Sequence, residues 1–318
     1  MAQWQKGLNL NQNSEADQSE DENMPGLTFY IVDVFAEEKY AGNQLAVVRN
    51  ASSLSSHEMQ KIAKEMHFSE TTFILSDAEQ HGGYDVRIFS PEKELPFGGH
   101  PTLGTAYIIQ QEIIRKPVTK VTLNLKVGQI PVSFTYSKGK PDILQMRQIP
   151  PKFGKTFTAE TMSKVLRLRQ TDFDPTCPIE EVSTGVPFII APLVSLDALK
   201  RAKTDEAEYL RLIEHADAKA ILAFCPETRH KENNLSARVF ASYYGVPEDP
   251  ATGSANGCLA GYLAKHRYLG QSKVDARVEQ GYEVGRPSLL LLKAEDKGGN
   301  IEVFVGGKTF KVAKGKLL

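Results

Sequence analysis

The rhythm of apolar and polar positions changes at Leu27. The run LTFYIVDVF over residues 27–35 is dense in β-branched and aromatic residues and stops before Glu37 and Glu38. AGNQLAVVRN follows, with Gly42 and Asn43 punctuating two strand-like stretches, a pattern that predicts two strands joined by a tight loop. Ser55 with Glu58 three residues later is a capping-box signature, and Met59, Ile62, Ala63 and Met66 recur at helical spacing, predicting an amphipathic helix of about three turns. FSETTFIL and YDVRIFS then read as strands. PFGGHPTLGTAYIIQQEII reads as a glycine-rich loop entering a buried helix, and VTLNLKVGQIPVSFTYS and ILQMRQI return to strands.

The second half repeats this grammar. An apolar strand, PFIIAPL, precedes a polar helical stretch, SLDALKRAKTDEAEYLRLIEHA, then strands AILAFCP and SARVFASYYG, then the small-residue loop and helix EDPATGSANGCLAGYLAKH, and hairpins finish the chain. A shift of 153 residues sets Gly99 against Thr252, Gly104 against Gly257 and Tyr107 against Ala260. Two related lobes are the simplest account of two such helix entries. The lobe boundary is expected near residues 140–150, giving an N-terminal lobe over 27–145 and a C-terminal lobe over 146–318.

Length and composition agree. At about 150 residues per domain, 318 residues make two domains or one large one, and 41% apolar with 24% charged residues is globular. A net charge of -1 supplies no positive field for phosphates, which argues against nucleic-acid binding, and no apolar run of about 18 residues crosses a membrane. Cys177, Cys225 and Cys258 lack a CxxC spacing, which excludes a disulfide scaffold and a cysteine zinc site, so a cytoplasmic location is the default. Residues 1–26 read as a flexible acidic tail. Its first 24 residues carry Glu15, Asp17, Glu20, Asp21 and Glu22 against Lys6, without signal- or transit-peptide character, and Met24 is an alternative start.

Several familiar motifs fail. GGKT at 306–309 has Glu302 where a phosphate loop needs glycine, and reads as a hairpin. No GxGxxG follows a strand, His57-Glu58 lacks the second histidine of a zinc protease, and Ser254 has Gly253 directly before it, unlike a nucleophile elbow. Asn50 and Asn234 match the glycosylation tripeptide by chance, since no secretory signal precedes them.

Three titratable residues stand out. Period-two alternation through Phe68-Ser69-Glu70-Thr71-Thr72-Phe73-Ile74-Leu75 puts Glu70 on one face with Phe68 and Ile74. A carboxyl group in apolar surroundings has a raised pKa suited to proton exchange near neutrality; the alternative is an edge glutamate facing water or an ion pair. His100 lies in Phe97-Gly98-Gly99-His100-Pro101-Thr102, where glycines permit close backbone approach and proline fits a first helical turn. Free N–H groups beside an imidazole suit a carboxylate or oxyanion; the alternative is a capping or core histidine. Asp249, before Pro250, opens the second such entry, either as a routine cap or as the partner of His100 and Glu70. Facing helix N-termini would bind an acidic substrate from both sides. Asn43 is a ligand contact or a left-handed turn residue, and Cys258 a packing residue.

Together these segments resemble the phenazine-biosynthesis PhzF-like family, whose fold is that of diaminopimelate epimerase. The matching segments are Asp33-Val34-Phe35 with Gly42-Asn43-Gln44-Leu45-Ala46-Val47-Val48, Phe68 to Phe73, Phe97 to Ala106, Ser183-Thr184-Gly185-Val186-Pro187 and Glu248 to Gly257. The resemblance implies an α+β fold of two pseudo-symmetric lobes, each a curled, mostly antiparallel sheet around a central helix, with the site where the two helix N-termini meet. It implies Glu70 as proton shuttle, His100 and Asp249 as its assistants, and Asn43, Gly99, Gly253 and Ser254 as substrate contacts. The two thiols of diaminopimelate epimerases correspond to Gly99 and Thr252, which excludes two-thiol racemisation. A possible homodimer also follows from the resemblance.

The expectation is a cofactor-independent isomerase, with no cofactor and no metal, that moves a proton and a double bond on a small carboxylated metabolite, as in isomerisation of trans-2,3-dihydro-3-hydroxyanthranilate. The rival is a non-catalytic small-molecule-binding or regulatory protein on the same fold. A third reading is hydrolase or lyase chemistry on a small acid.

Overall fold

A computed structural model describes residues 26–318, so the expected tail over 1–26 lies, but for Gly26, outside the described residues. The fold is α+β, with mixed sheet and several helices. Leu27–Val34 lies between Thr309–Leu317 and Asn43–Arg49, antiparallel to both. Asn43–Arg49 runs parallel to Thr71–Ile74, which is antiparallel to Tyr84–Phe89. Tyr84–Phe89 is parallel to Lys120–Leu125, and Gly128–Ser137 and Lys140–Arg147 follow as antiparallel neighbours. In the second half Ile179–Ser183 lies between Lys152–Phe157 and Pro187–Pro192, antiparallel to both. The next steps are parallel to Ile221–Cys225, antiparallel to Leu235–Ala241 and parallel to Lys273–Gln280. Ser288–Asp296 and Ile301–Gly307 then follow, antiparallel. The two halves thus run through the same succession of pairings. They are stitched by Ile301–Gly307 against Lys140–Arg147.

Parallel neighbours need crossovers, and helices fill them. Ser56–Met66 occupies the first crossover of the first half and Gly99–Ile108 the second. Leu196–Arg201 and Glu206–Glu214 share the first crossover of the second half, and Gly253–His266 fills the second. One apolar core surrounds the two central helices, Gly99–Ile108 and Gly253–His266. The outer helices cover opposite sheet faces in two smaller clusters. Strands covered on both faces are continuously buried, as in Leu235–Ala241, whereas Gly128–Ser137 alternates with solvent.

The predicted capping box is present: Ser55 Oγ accepts from Glu58 N at 3.2 Å and Glu58 Oε2 from Ser55 N at 2.7 Å. Four details differ from expectation. The first two strands are joined by residues 35–42, longer than a tight loop. The polar helical stretch is two helices, because Asp205 caps a new one at Glu206. The helix Ala159–Leu166, capped by Thr158, was not anticipated. GGKT is no hairpin, since the strands ending at Gly307 and beginning at Thr309 pair with different neighbours.

Candidate active site

The two central helices meet end to end. Their first residues, Gly99 and Gly253, are 154 apart (253 − 99), so the cap Gly98 matches Thr252 and Gly99 matches Gly253. The two helix starts are thus offset by 154 residues, not 153. A Cβ on Gly99 would stand 3.2 Å from both Gly253 Cα and Ser254 N, and one on Gly253 would stand 3.2 Å from the Phe35 ring. Glycine is therefore needed for close approach of two backbones. Neither cap residue donates a side chain to its helix, so the first-turn N–H groups carry the partial positive charge of the helix ends unscreened by a cap.

Glu70 sits one residue before the strand Thr71–Ile74, so the alternation argument with Phe68 and Ile74 does not reach it. Its burial comes from the crevice instead. The side chain is 19% exposed, but Oε2 is buried without a hydrogen-bond partner among the described residues. His100 Nε2 lies 3.3 Å away, also unpartnered, and out of line for a hydrogen bond. Burial, with a smaller contribution from Asp249, raises the Glu70 carboxyl to about 8. Burial lowers the imidazole to about 3, against a backbone hydrogen bond to Gln44 that favours its charge. Burial thus favours the neutral form of both groups, and Glu70 titrates close enough to neutrality to be either acid or base.

Nε2 of His100 faces Glu70 and Nδ1 faces Asn43. Asn43 Nδ2 donates to Asp249 Oδ1 and to Ala251 O, each at 2.9 Å. The same Nδ2 lies 3.4 Å from His100 Nδ1, so the amide stands between the imidazole and the second half. Asp249 ends the strand Val246–Asp249 and is raised by burial, while hydrogen bonds from Thr252 and Asn43 lower it. The Thr252 hydroxyl bonds Asp249 Oδ2 rather than its own helix. Gln280 Nε2 donates to Asp249 O at 2.8 Å, and Gln280 Oε1 accepts from Asn256 Nδ2 at 2.8 Å.

The fold thus gathers Glu70, His100, Asp249, Asn43, Gly99 and Gly253 at one junction of the two halves. Ser254 joins through its backbone: its N–H meets Gly99, and its carbonyl accepts from Thr184 Oγ1 at 3.4 Å. A cavity of about 240 Å³ adjoins the junction, with Asn43, Ser69, Glu248, Pro250 and Arg286 in its wall. Gln280 and Thr252 had no role from sequence; their contacts are long-range or depend on a hydroxyl turning away from its helix. Cys258 is buried with its thiol pushed up to about 12, a packing residue. Among the described residues no His, Cys, Asp or Glu group is arranged to hold a metal ion, and no helix is long and apolar enough to cross a membrane.

The family model of phenazine biosynthesis-like proteins, PhzC-PhzF, matches residues 32–315. The chain belongs to this family. A curated relative from Pseudomonas aeruginosa, named trans-2,3-dihydro-3-hydroxyanthranilate isomerase, is 34% identical over 289 residues, covering 91% of this chain and 98% of the relative. The crystal structure of a PhzF-family phenazine biosynthesis protein from Bacillus anthracis superposes with a TM-score of 0.84 at 27% identity, over 93% of this chain and 100% of that one. A probable proline racemase from Agrobacterium radiobacter shares the fold alone, with a TM-score of 0.56 at 10% identity over 92% of this chain and 93% of that one. The PhzF-like chain therefore has the diaminopimelate epimerase-like fold.

Proposed function

We propose that this PhzF-like protein is a cofactor-independent isomerase that moves a proton, and with it a double bond, on a small carboxylated metabolite. Trans-2,3-dihydro-3-hydroxyanthranilate, on which the Pseudomonas relative is named to act, is the first substrate to test. The observation that carries the reading is the Glu70 carboxyl: buried, unpartnered at Oε2 and raised to about 8. Such a group gives up and regains a proton at little cost near neutral pH. Ionised Glu70 takes a proton from an activated carbon, the electron pair left behind forms the shifted double bond, and Glu70-H returns the proton to another carbon. His100 and Asp249 handle protons on neighbouring oxygen or nitrogen groups. The uncapped helix starts at Gly99 and Gly253, with Ser254, hold the carboxylate and developing negative charge, and Asn43 is a further substrate contact beside them.

The matched succession of strand pairings supports two pseudo-symmetric lobes, each curled around its central helix. We place the first over 27–145 and the second over 146–318, with Thr309–Leu317 returning to pair with the first strand. A homodimer is the assembly we expect, checked by light scattering.

Incubation with trans-2,3-dihydro-3-hydroxyanthranilate in deuterated water tests the reaction. The expected result is isomerised product, with solvent deuterium at carbon to the extent that Glu70-H exchanges before it returns its proton, and with Glu70→Gln slower by about 10²–10⁴-fold. Tight binding without any product would favour the binding-protein reading instead.

A further inference from the structure

The turn after the strand Lys273–Gln280 touches both sides of the junction. Gly281 has φ +82°, and a Cβ there would fall on the carbonyl oxygens of Arg286 and Pro250, so the turn lies against the residue that follows Asp249. On its other side Arg286 grips the loop leading into Asn43. Its Nε donates to Gly42 O at 2.9 Å, and its Nη2 to Ala41 O at 2.7 Å and to Asp33 Oδ1 at 2.6 Å. Gly42 N returns a bond to Pro287 O at 2.9 Å, and Asp33 Oδ2 accepts from Tyr40 N at 2.7 Å. Asp33 is buried, and Gly42, at φ +70°, has no room for a Cβ beside Val34 O and Ala36. The residue directly after this clamp is Asn43, whose amide joins Asp249 to Ala251.

We propose that Arg286 is a positioning residue: reaching from the second half, it sets the backbone of Gly42 so that the Asn43 amide bridges Asp249 and Ala251. A planar guanidinium suits this task because it offers several donors in a fixed fork, here spread over two carbonyls and a carboxylate. Lysine, with one compact ammonium, can satisfy only part of that set. The inference rests on the roles proposed above for Asn43 and Asp249, so its test includes an arm that needs no substrate.

In that arm, hydrogen exchange of the Asn43 side-chain amide is followed by ¹H–¹⁵N spectroscopy. Arg286→Met is expected to speed it about tenfold, the worth of roughly one hydrogen bond, while backbone amides of Gly253–His266 keep their protection. Arg286→Lys should fall between, and it serves alone if the methionine variant fails to fold. Unchanged Asn43 exchange, or loss of protection throughout the central helix, overturns the proposal. In the second arm, with trans-2,3-dihydro-3-hydroxyanthranilate, Arg286→Met should lower kcat about tenfold with KM nearly constant. In an Asn43→Ala background the same change should add nothing, and an undiminished further loss overturns the proposal. A wild-type protein inert toward that substrate would count against the proposed function, while the exchange arm still decides the role of Arg286.

Discussion

The outer helices and the two central helices are built on opposite rules. Ser56–Met66, Ala159–Leu166, Leu196–Arg201 and Glu206–Glu214 each begin with a side-chain cap, from Ser55, Thr158, Ser195 and Asp205 respectively. Their buried residues form one stripe, as with Met59 and Ala63 of Ser56–Met66. The central helices have no side-chain cap, and nine of the ten residues of Gly99–Ile108 are buried. Omitting a cap costs about 1 kcal/mol per helix, a loss that burial on every side can offset. What the omission leaves is a pair of bare amide ends inside the protein, facing each other across Gly99 and Gly253. In the outer helices the N-terminus is finished by the chain itself; in the central ones it is left for something else to finish.

The contrast breaks most severely where the bare ends touch. Gly99→Ala places a methyl group 3.2 Å from the backbone of the facing helix, which cannot turn aside as a side chain could. The halves must part by a few tenths of an ångström, and turnover should fall by about 10²-fold, as small displacements of reacting groups do. Kinetics with the isomerase substrate would check it; full activity would mean the contact of the helix ends is incidental.

Next in size is a stability effect. Glu70 has its folded pKa raised from 4.5 to about 8, so as pH rises between these values the unfolded chain has released a proton that the folded chain retains, and stability falls. His100, lowered from 6.5 to about 3, acts with the opposite sign and only below 6.5. Between pH 6.5 and 8 Glu70 therefore acts without that opposition, at about 1.4 kcal/mol per pH unit. Glu70→Gln should gain about 2 kcal/mol on the wild type across that interval in urea unfolding. Parallel pH profiles for the two proteins would mean that the carboxyl is hydrated.

Thr252 sharpens the comparison further, because it stands at a cap position and does not cap. Thr252→Val removes the hydroxyl that bonds Asp249 Oδ2, a bond that holds the carboxyl down against burial. The Asp249 titration should move up, because a hydrogen bond that favours its charged form is lost. Helix stability should stay put, as read by amide exchange along Gly253–His266. Fraying of that helix without a shift in the Asp249 titration would reverse the assignment.

What could be read from the chain follows the same division. The Ser55–Glu58 box, the apolar spacing behind it and the two small-residue helix entries are local signals, and the fold contains all of them. The burial of Glu70 was anticipated for a reason that fails, because alternation ends at Thr71. The crevice that buries it forms only when the halves meet, and pairing of Asn43 with Asp249 spans 206 residues. Thr252 was visible as a residue, but nothing local tells whether a threonine hydroxyl turns back to an aspartate or forward to its helix. The Ala159–Leu166 helix escaped because its eight residues carry only Met162, Val165 and Leu166 as a buried set, too short a stretch for a clear period.

The smallest effect is the control for the rest. Ser55 makes the same kind of helix entry that Gly98 and Thr252 decline to make, and its box is closed at both ends by Glu58. Ser55→Ala leaves the Glu58 N–H without its side-chain acceptor at an exposed helix start, where water replaces most of what is lost. The expected cost is about 1 kcal/mol in urea unfolding, with turnover unchanged, since Ser56–Met66 packs on the outer sheet face with Val48, Phe73 and Phe89. Ser55→Ala and Thr252→Val should therefore part company: the first moves stability and not the Asp249 titration, the second the reverse. If the Ser55 variant also slowed the reaction, the outer helices could not be treated as scaffold. The absence of caps on the central pair would then lose its meaning as a mark of the site.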